Sequence, residues 1–561
     1  MRLAIARFAP LLLVLALAGR SAIAQGTALL PPTDLAYRDV DRLAELGVLD
    51  SLIVGQRPYS RRELGRIVRV ARIKLDRADL TGRGDLGVRG GSLSDDGAFQ
   101  ANAILQRLTN RFGEEVDERG FDGPMLALFD GAALTFTSTD AIPRRFISGS
   151  APLEATLNPL DARRLGRAPI RGQNTALELS QRLEATGWLS VHARERLEYR
   201  SATDTGFTKT QGELLLAGMR LRLRNVALSV GREQFAWAQG DNEGLFLSSS
   251  APALDQVSLA SDHPFVMPSV LRLLGPTQAT AVLAQLGPSA VRSHSQLLTY
   301  KVSVQPHPAV ELGGTFMNHF GGEGGRSSSF GDRLIDFLPF VDIFRTHNYE
   351  DTTRTLDVDS DKLLGIDGRV RIAPLGGMLL TGEVLIDDFD VHRIPDLFGG
   401  YGSSMIGLTF PVIMSPDWSL KLSAKHMGIL TYTHSALASG ITTGGRLLGE
   451  PLGPDAKEFG AEVRWMPAPA LRLRVGAWSA QHSDADYTAF YSDSARTRYV
   501  VRKAASRPSE LRDRMLASLE VQSDEGVALV IRGGAERIRN ANFLGDRRKS
   551  YVVDIALRLR Q

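Results

Sequence analysis

"MRLRLRNVALSVGR" (residues 219–232) is the stretch on which the fold turns. Leu221 and Leu223 alternate with Arg220, Arg222 and Arg224; after Asn225, Val226, Leu228 and Val230 alternate with small residues. Period-two alternation describes extended strands with one apolar and one polar face. The break at Arg224-Asn225 reads as the tight turn of a hairpin. The open question is what lies against the apolar side.

The amino terminus narrows the answer. "MRLAIARFAPLLLVLALAGRSAIAQG" places Arg2 and Arg7 before an apolar run from Phe8 to Ala18, then Ala22-Ile23-Ala24. This is the pattern of a secretory signal peptide over residues 1–24, with the mature chain starting near Gln25. The run is too short to span a bilayer as a helix, and no later stretch offers the ~20 apolar residues such a helix needs. The 66 Lys+Arg and 63 Asp+Glu become equal once the three leader arginines are removed. A mature chain without net charge gives no basis for a nucleic-acid partner. Cysteine is absent, so disulfides and thiolate metal sites are excluded.

From about Pro124 onward, alternating hairpins recur. "LLTYKVSV-QPHP-AVELGGTF", "GIDGRVRI-APLGG-MLLTGEVLI", "IGLTFPVI-MSPD-WSLKLSAKH", "AEVRW-MPAP-ALRLRVGAW" and "LASLEV-QSDEG-VALVIRGG" each carry Pro or Gly at the turn. The other connections are long: about Ala238 to Ser293, Gly321 to Asp361, Thr431 to Pro454 and Gln481 to Pro508. Short turns at one end and long loops at the other are the pattern of a transmembrane β-barrel. A first strand near Ala127–Thr137, seven hairpins and a last strand near Tyr551–Leu559 give sixteen strands, with room for two more inside the long loops. The polar face carries Arg, Glu, Asp and Lys too densely for a packed sandwich interior, whereas a wet lumen accepts them. The expected fold is therefore an all-β transmembrane barrel of 16–18 antiparallel strands, and the apolar face of the opening stretch meets lipid.

Residues 33–112 read differently. Leu35, Val40, Leu43 and Leu46 share a helical face with Thr33 or Asp34 as cap, and Ser60 and Glu63 stand at capping-box spacing. "AFQANAILQRLTNRF" is a third amphipathic piece. These predict a helical bundle over residues 25–120 ahead of a barrel over 121–561, with Arg42 and Arg69 on exposed helix faces. Parity places both termini, and hence the helices, at the short-turn, periplasmic end.

Trp188, Trp418 and Trp465 sit beside short turns, where an aromatic girdle lies. Trp418 and Trp465 are in phase with the apolar face. Trp478 is out of phase with Leu473 and Val475 and so faces the lumen near the outer mouth. Trp237 is left open, because a bulge at Gly231 would flip its register.

The order Gly231-Arg232-Glu233 … Trp237 … Gly244 … Leu245-x-Leu247-Ser248 … Ala251-Pro252 … Asp255, within "VGREQFAWAQGDNEGLFLSSSAPALDQVSLASDHPF", is similar to the central segment of the capsule assembly Wzi family. "LAYRDVDRLAELGVLDSLIVGQRPYSRREL" resembles that family's amino-terminal helical segment. The resemblance implies an eighteen-stranded outer-membrane barrel with a periplasmic helical bundle and a lectin-like role, holding surface polysaccharide at the cell. Its implied partners are that polysaccharide, outer-membrane lipid and the barrel-assembly machinery. Sugars offer hydroxyl arrays and apolar patches, so the candidate contacts are Trp478 and Trp237 for stacking, with Asp241 and Asn242 for hydrogen bonding.

Other chemistry is sparse. Asp357, Asp359 and Asp361 have calcium-loop spacing, but Lys362 and Gly368 occupy the positions needing Gly and Glu. Asp387, Asp388 and Asp390 form a second acidic loop. No G-x-S-x-G, H-E-x-x-H or P-loop occurs, so no cofactor, metal site or catalytic residue is expected. The alternatives to an anchoring lectin are an outer-membrane porin or uptake channel, and less favourably a hydrolase built from a Ser and a His brought together on adjacent lumen or rim positions.

Overall fold

The computed structural model describes residues 28–49, 52–81, 94–116, 124–141, 144–146, 155–157, 169–202, 206, 208–239, 244–288, 292–324, 360–387, 402–429, 431–433, 437, 440–483, 485–491, 499–505 and 508–560. The leader lies outside them.

Eighteen antiparallel strands close into a barrel. They are β1 Met125–Thr139, β2 Gly172–Thr186, β3 Leu189–Ala202, β4 Thr208–Leu223, β5 Val226–Glu233, β6 Leu254–Ser261, β7 Pro276–Gln285, β8 Gln296–His307 and β9 Val310–Phe320. The circuit continues with β10 Ser360–Ile372, β11 Met378–Ile386, β12 Ser403–Phe410, β13 Trp418–Met427, β14 Ala456–Ala468, β15 Leu471–His482, β16 Glu510–Gln522, β17 Val527–Ala541 and β18 Asp546–Arg560. Each strand pairs with the next, and β18 pairs with β1 from Gly131↔Arg560 to Thr139↔Val552, so the sheet has no free edge. None of the described helices is long and apolar enough to cross a membrane. The strands alone span it.

The opening stretch is the β4–β5 hairpin, with Arg224 at φ 56 in its turn. The two strands beyond the sixteen counted from alternation are β6 and β7, which lie inside the supposed loop 238–293. Only 8 and 10 residues long, they are joined by a 3-10 turn over Ser269–Leu274 that breaks the alternation. The ladder passes Gly231 without a register shift, so it is no bulge. Glycine is required there because a Cβ would lie 2.1 Å from the Ala217 carbonyl oxygen.

Alternation sorts the wall as the lipid reading requires. Val302 is 42% exposed and Leu422 37%, whereas neighbouring Ser303 is fully buried toward the lumen. Trp418 and Trp465 are direct cross-strand partners whose rings stack at 5.1 Å beside the short turns. Such a pair contributes about 0.5–1.5 kcal/mol beyond its burial.

Three helices fill the short-turn end of the lumen: α1 Ala36–Glu45, α2 Arg61–Thr81 and α3 Asp95–Val116. Leu43, Leu64, Ile67, Val68, Ile104, Leu105 and Leu108 form their common core. Asp34 Oδ1 accepts the Ala36 N–H at 2.9 Å and Ser60 Oγ accepts the Glu63 N–H at 3.1 Å, so both helix starts read from the sequence are capped. The outer rim of the plug is charged, and it binds the charged lumen wall. Asp34 joins Arg111 and the last-strand Arg560, at 2.7 and 2.8 Å. Asp39 takes Arg107 at 2.8 Å and also Arg472 of β15. Glu45 takes Arg464 at 3.0 Å, and Arg371 donates to the last carbonyls of α1, Ala44 and Glu45, at 2.8 and 2.9 Å. Arg42, expected on an exposed face, is only 8% exposed and donates to the Pro411 and Pro416 carbonyls of the β12–β13 turn. The amphipathic pattern distinguishes polar from apolar faces, but a polar face against a charged wall is also buried.

Candidate functional site: the lumen wall around Trp478

The lumen is filled from both ends. From the plug, residues 52–58 rise along the wall, where Glu311 accepts the Val54 and Gly55 N–H groups at 2.9 and 2.8 Å. Gln56 donates to the Gln278 carbonyl at 2.9 Å and accepts from Thr280 at 2.9 Å. From the other end, the segment between β5 and β6 folds inward and meets it: Arg57 and Ala236 exchange two backbone hydrogen bonds, at 3.1 and 3.0 Å. A second inward loop, Gly440–Leu452, covers this segment, with Ser248 N–H on the Leu448 carbonyl at 2.8 Å and Tyr432 Oη donating to the Leu245 carbonyl at 2.5 Å.

This arrangement explains the motif shared by residues 230–265. Arg232 forks onto Asp255 at 2.7 and 2.9 Å, tying the two ends of the inward loop. Gln234 donates to the Ala251 carbonyl at 2.6 Å, and Leu245, Phe246 and Leu247 pack with Trp237 in one apolar core. A Cβ at Gly244 would lie 2.3 Å from the Trp237 carbonyl oxygen, so only glycine fits there. The motif builds a folded loop inside the barrel.

That placement removes one candidate. Trp237 is 1% exposed, with Phe235 edge-on at 6.0 Å, so its ring offers no face to a sugar. Packing, not recognition, explains it here. Asp241 and Asn242 lie outside the described residues, as do Asp357, Asp359, Asp388 and Asp390. Asp361 is buried on β10, and Asp387 accepts the Tyr432 N–H at 2.6 Å. Among the described residues no group of three acids or histidines is arranged to hold a metal.

Trp478 faces the lumen. Its neighbours across the ladder are Gly460 on β14 and Arg514 on β16. A Cβ at Gly460 would stand 2.1 Å from Trp478 Cδ1, and one at Gly476 would stand 2.2 Å from Cη2. The two glycines therefore let the indole lie against the wall. The Arg514 guanidinium sits 5.4 Å from the ring centre and is held by Glu458 at 2.7 Å. Next to the ring is a cavity of about 250 Å³, bounded by Glu450 of the upper loop, Arg512 and Arg474 of the wall, and Arg38 and Asp41 of the plug. Glu450 is held through Oε1 by Lys425 at 3.1 Å, while its buried Oε2 has no hydrogen-bond partner among the described residues. An aromatic surface bordered by guanidinium and carboxylate groups suits a saccharide, whose C–H faces stack while its hydroxyls hydrogen-bond. Gly460, Glu450 and Arg514 were not found by the sequence reading. Strand register brings Gly460 and Arg514 to the ring, and the inward fold of the Gly440–Leu452 loop brings Glu450.

The described residues also bring together one serine and one histidine on the lumen face: Ser295 Oγ and His319 Nε2 are 2.9 Å apart. Both are buried, at 0% and 2% exposure, so this contact packs the outer ends of β8 and β9 and gives a substrate no access.

A model of the capsule assembly protein Wzi family matches residues 154–549. The chain belongs to that family. Wzi of Escherichia coli, an outer membrane protein involved in group 1 capsule assembly and described as a carbohydrate-binding β-barrel, is similar in structure with a TM-score of 0.65. The likeness covers 95% of this chain and 99% of that one at 14% identity, which establishes a shared fold. The Pseudomonas aeruginosa protein OprD is more distant: TM-score 0.42 and 8% identity, covering 78% of this chain and 95% of that one. None of the curated proteins matches the chain.

Proposed function

We propose that this outer-membrane Wzi-family barrel binds surface polysaccharide and holds it at the cell, acting by binding and not by catalysis. The observation that carries this reading is the filled lumen. A diffusion porin needs a continuous water path, whereas here a helical plug and an inward loop meet at Arg57 and Ala236. Family membership and the carbohydrate binding described for the Escherichia coli protein support the same reading. In this proposal the plug faces the periplasm, the long loops face outward, and the mature chain starts near Gln25 and reaches its membrane through the barrel-assembly machinery. Trp478 is the proposed stacking contact, supported by its glycine-backed indole and the polar cavity beside it. Asp241 and Asn242, which fall between β5 and β6 in the sequence, are proposed hydrogen-bonding contacts.

The test is surface retention of polysaccharide in cells carrying Trp478→Ala. We expect polysaccharide to appear in the medium while barrel assembly, judged by heat-modifiable gel migration, stays normal. Normal retention both in this variant and in Asp241→Ala/Asn242→Ala, with intact barrels, would eliminate the site.

A further inference from the structure

The membrane-facing side of β14–β18 carries an arrangement that the polysaccharide reading does not use. Successive rungs can be followed across the outer wall. One runs Ala477, Met515, Ala535, Tyr551; the next Ser479, Asp513, Arg537, Lys549; and the next Gln481, Leu511, Arg539, Arg547. Their orientation is fixed by the buried lumen-facing neighbours Arg512, Glu536, Ile538 and Ser550. Arg537 and Lys549 are thus direct cross-strand partners, and so are Arg539 and Arg547. Like charges placed opposite each other destabilise a sheet unless an anion is shared between them. Asp513 is the single carboxylate in these two rungs; it accepts from Ser479 at 2.7 Å and approaches Arg539 at 3.4 Å. Four cations against one carboxylate leave a surplus of three.

Directly below these rungs the same wall is hollow. Small residues, Ala461, Ala477 and Ala535, floor a groove of about 960 Å³ walled by Phe459, Met515 and Leu422, with Asp513, Arg537 and Lys549 at its polar edge. Phe459 is 65% exposed and Met515 62%, so the groove opens to the membrane and continues the apolar band. Acyl chains fit such a groove, and phosphates fit the cationic rungs above it.

We propose that this face binds one phosphorylated, multiply acylated disaccharide lipid of the outer leaflet. Its chains would lie in the groove and its phosphates between the Arg537–Lys549 and Arg539–Arg547 pairs. A single phosphodiester leaves most of the surplus charge unanswered, which favours a ligand with two phosphates. The proposal takes the end opposite the plug as the outer one; the binding measurement in symmetric nanodiscs does not depend on that orientation.

The experiment uses the full-length protein in phosphatidylcholine nanodiscs containing a few per cent of a bisphosphorylated, acylated disaccharide lipid, with protein-bound lipid counted by native mass spectrometry after detergent extraction. The wild type should retain this lipid about tenfold more than Arg537→Gln/Lys549→Gln or Arg539→Gln/Arg547→Gln, both with normal heat-modifiable migration. Ala477→Leu/Ala535→Leu, which fills the groove and leaves every charge, should lower retention as well. The acyl-free bisphosphorylated disaccharide should compete poorly. Equal retention in the charge variants, effective competition by the acyl-free headgroup, or equal retention of cardiolipin would each overturn the assignment.

Discussion

Glycines 460 and 476 show how a function is set by what is missing. Each leaves the space that the Trp478 ring occupies, and a Cβ on either would overlap it. Gly460→Val should therefore reduce polysaccharide retention as much as Trp478→Ala does, with all five tryptophans still present. Normal retention in Gly460→Val would show that the ring's position against the wall is irrelevant. On the lipid side, Leu473 lies across from the girdle residue Trp465 near the short-turn interface, so Leu473→Arg should cost up to about 1 kcal/mol of barrel stability. Alternation alone marks the adjacent Arg472 as a lumen position that tolerates change. The structure assigns it a partner: Asp39 of the plug. Arg472→Leu should cost about 1.5–3 kcal/mol of plug docking, because a buried carboxylate loses a charged donor. Urea melts of the two variants distinguish the effects, since only Leu473→Arg should lower the stability of the barrel itself.

The plug is held by element-to-element ion pairs, and its pH dependence follows from them. Burial alone would raise the Asp34 carboxyl, but Arg111 and Arg560 hold it well below the usual aspartate range. Asp39 is likewise pushed up by burial and brought below 3.8 by Arg472 and Arg107. A carboxyl whose folded value lies below its unfolded value stabilises docking above the unfolded value and loses that contribution as pH falls through the folded one. Docking should thus be steady from pH 8 to 5 and weaken only below about pH 4. Asp34→Asn/Asp39→Asn should remove the acid limb and give a plug already loosened at neutral pH. Protease sensitivity of helices α1 and α3 against pH checks this; identical profiles for variant and wild type would mean that these pairs do not hold the plug.

For the molecule as a whole, closure of the lumen and the position of the plug make separate predictions. Purified protein in planar bilayers should show no steady porin-like conductance, because the plug and the inward loop occupy the same lumen. Stable open-channel current in the wild type would favour the uptake reading. Cysteine introduced at Gln106 or Asn110, both exposed on α3, should resist membrane-impermeant thiol reagents on intact cells and react after outer-membrane permeabilisation. Arg42 is unsuitable for this test because it is buried against the β12–β13 turn. Equal labelling with and without permeabilisation would place the plug outside.

Much of this protein is determined by its sequence alone. Alternation at period two marked which residues face lipid, because a strand turns each successive side chain to the opposite side whatever surrounds it. The contrast of short turns and long connections indicated a barrel, and the helical period with its caps at Asp34 and Ser60 located the helices. Such features are local, so they survive in a linear reading. Strands β6 and β7 stayed hidden because they are short and their joining turn is apolar, so membrane contact there breaks the usual alternation of strand and polar turn. Only tertiary structure decided which charges are partners: Arg472 with Asp39, Arg560 with Asp34, Arg537 opposite Lys549. It also decided that Trp237 is buried while Trp478 borders a cavity, although both are tryptophans near strand ends. Pairing depends on strand register and on a plug brought back across the chain, and neither leaves a periodic trace in the residues themselves.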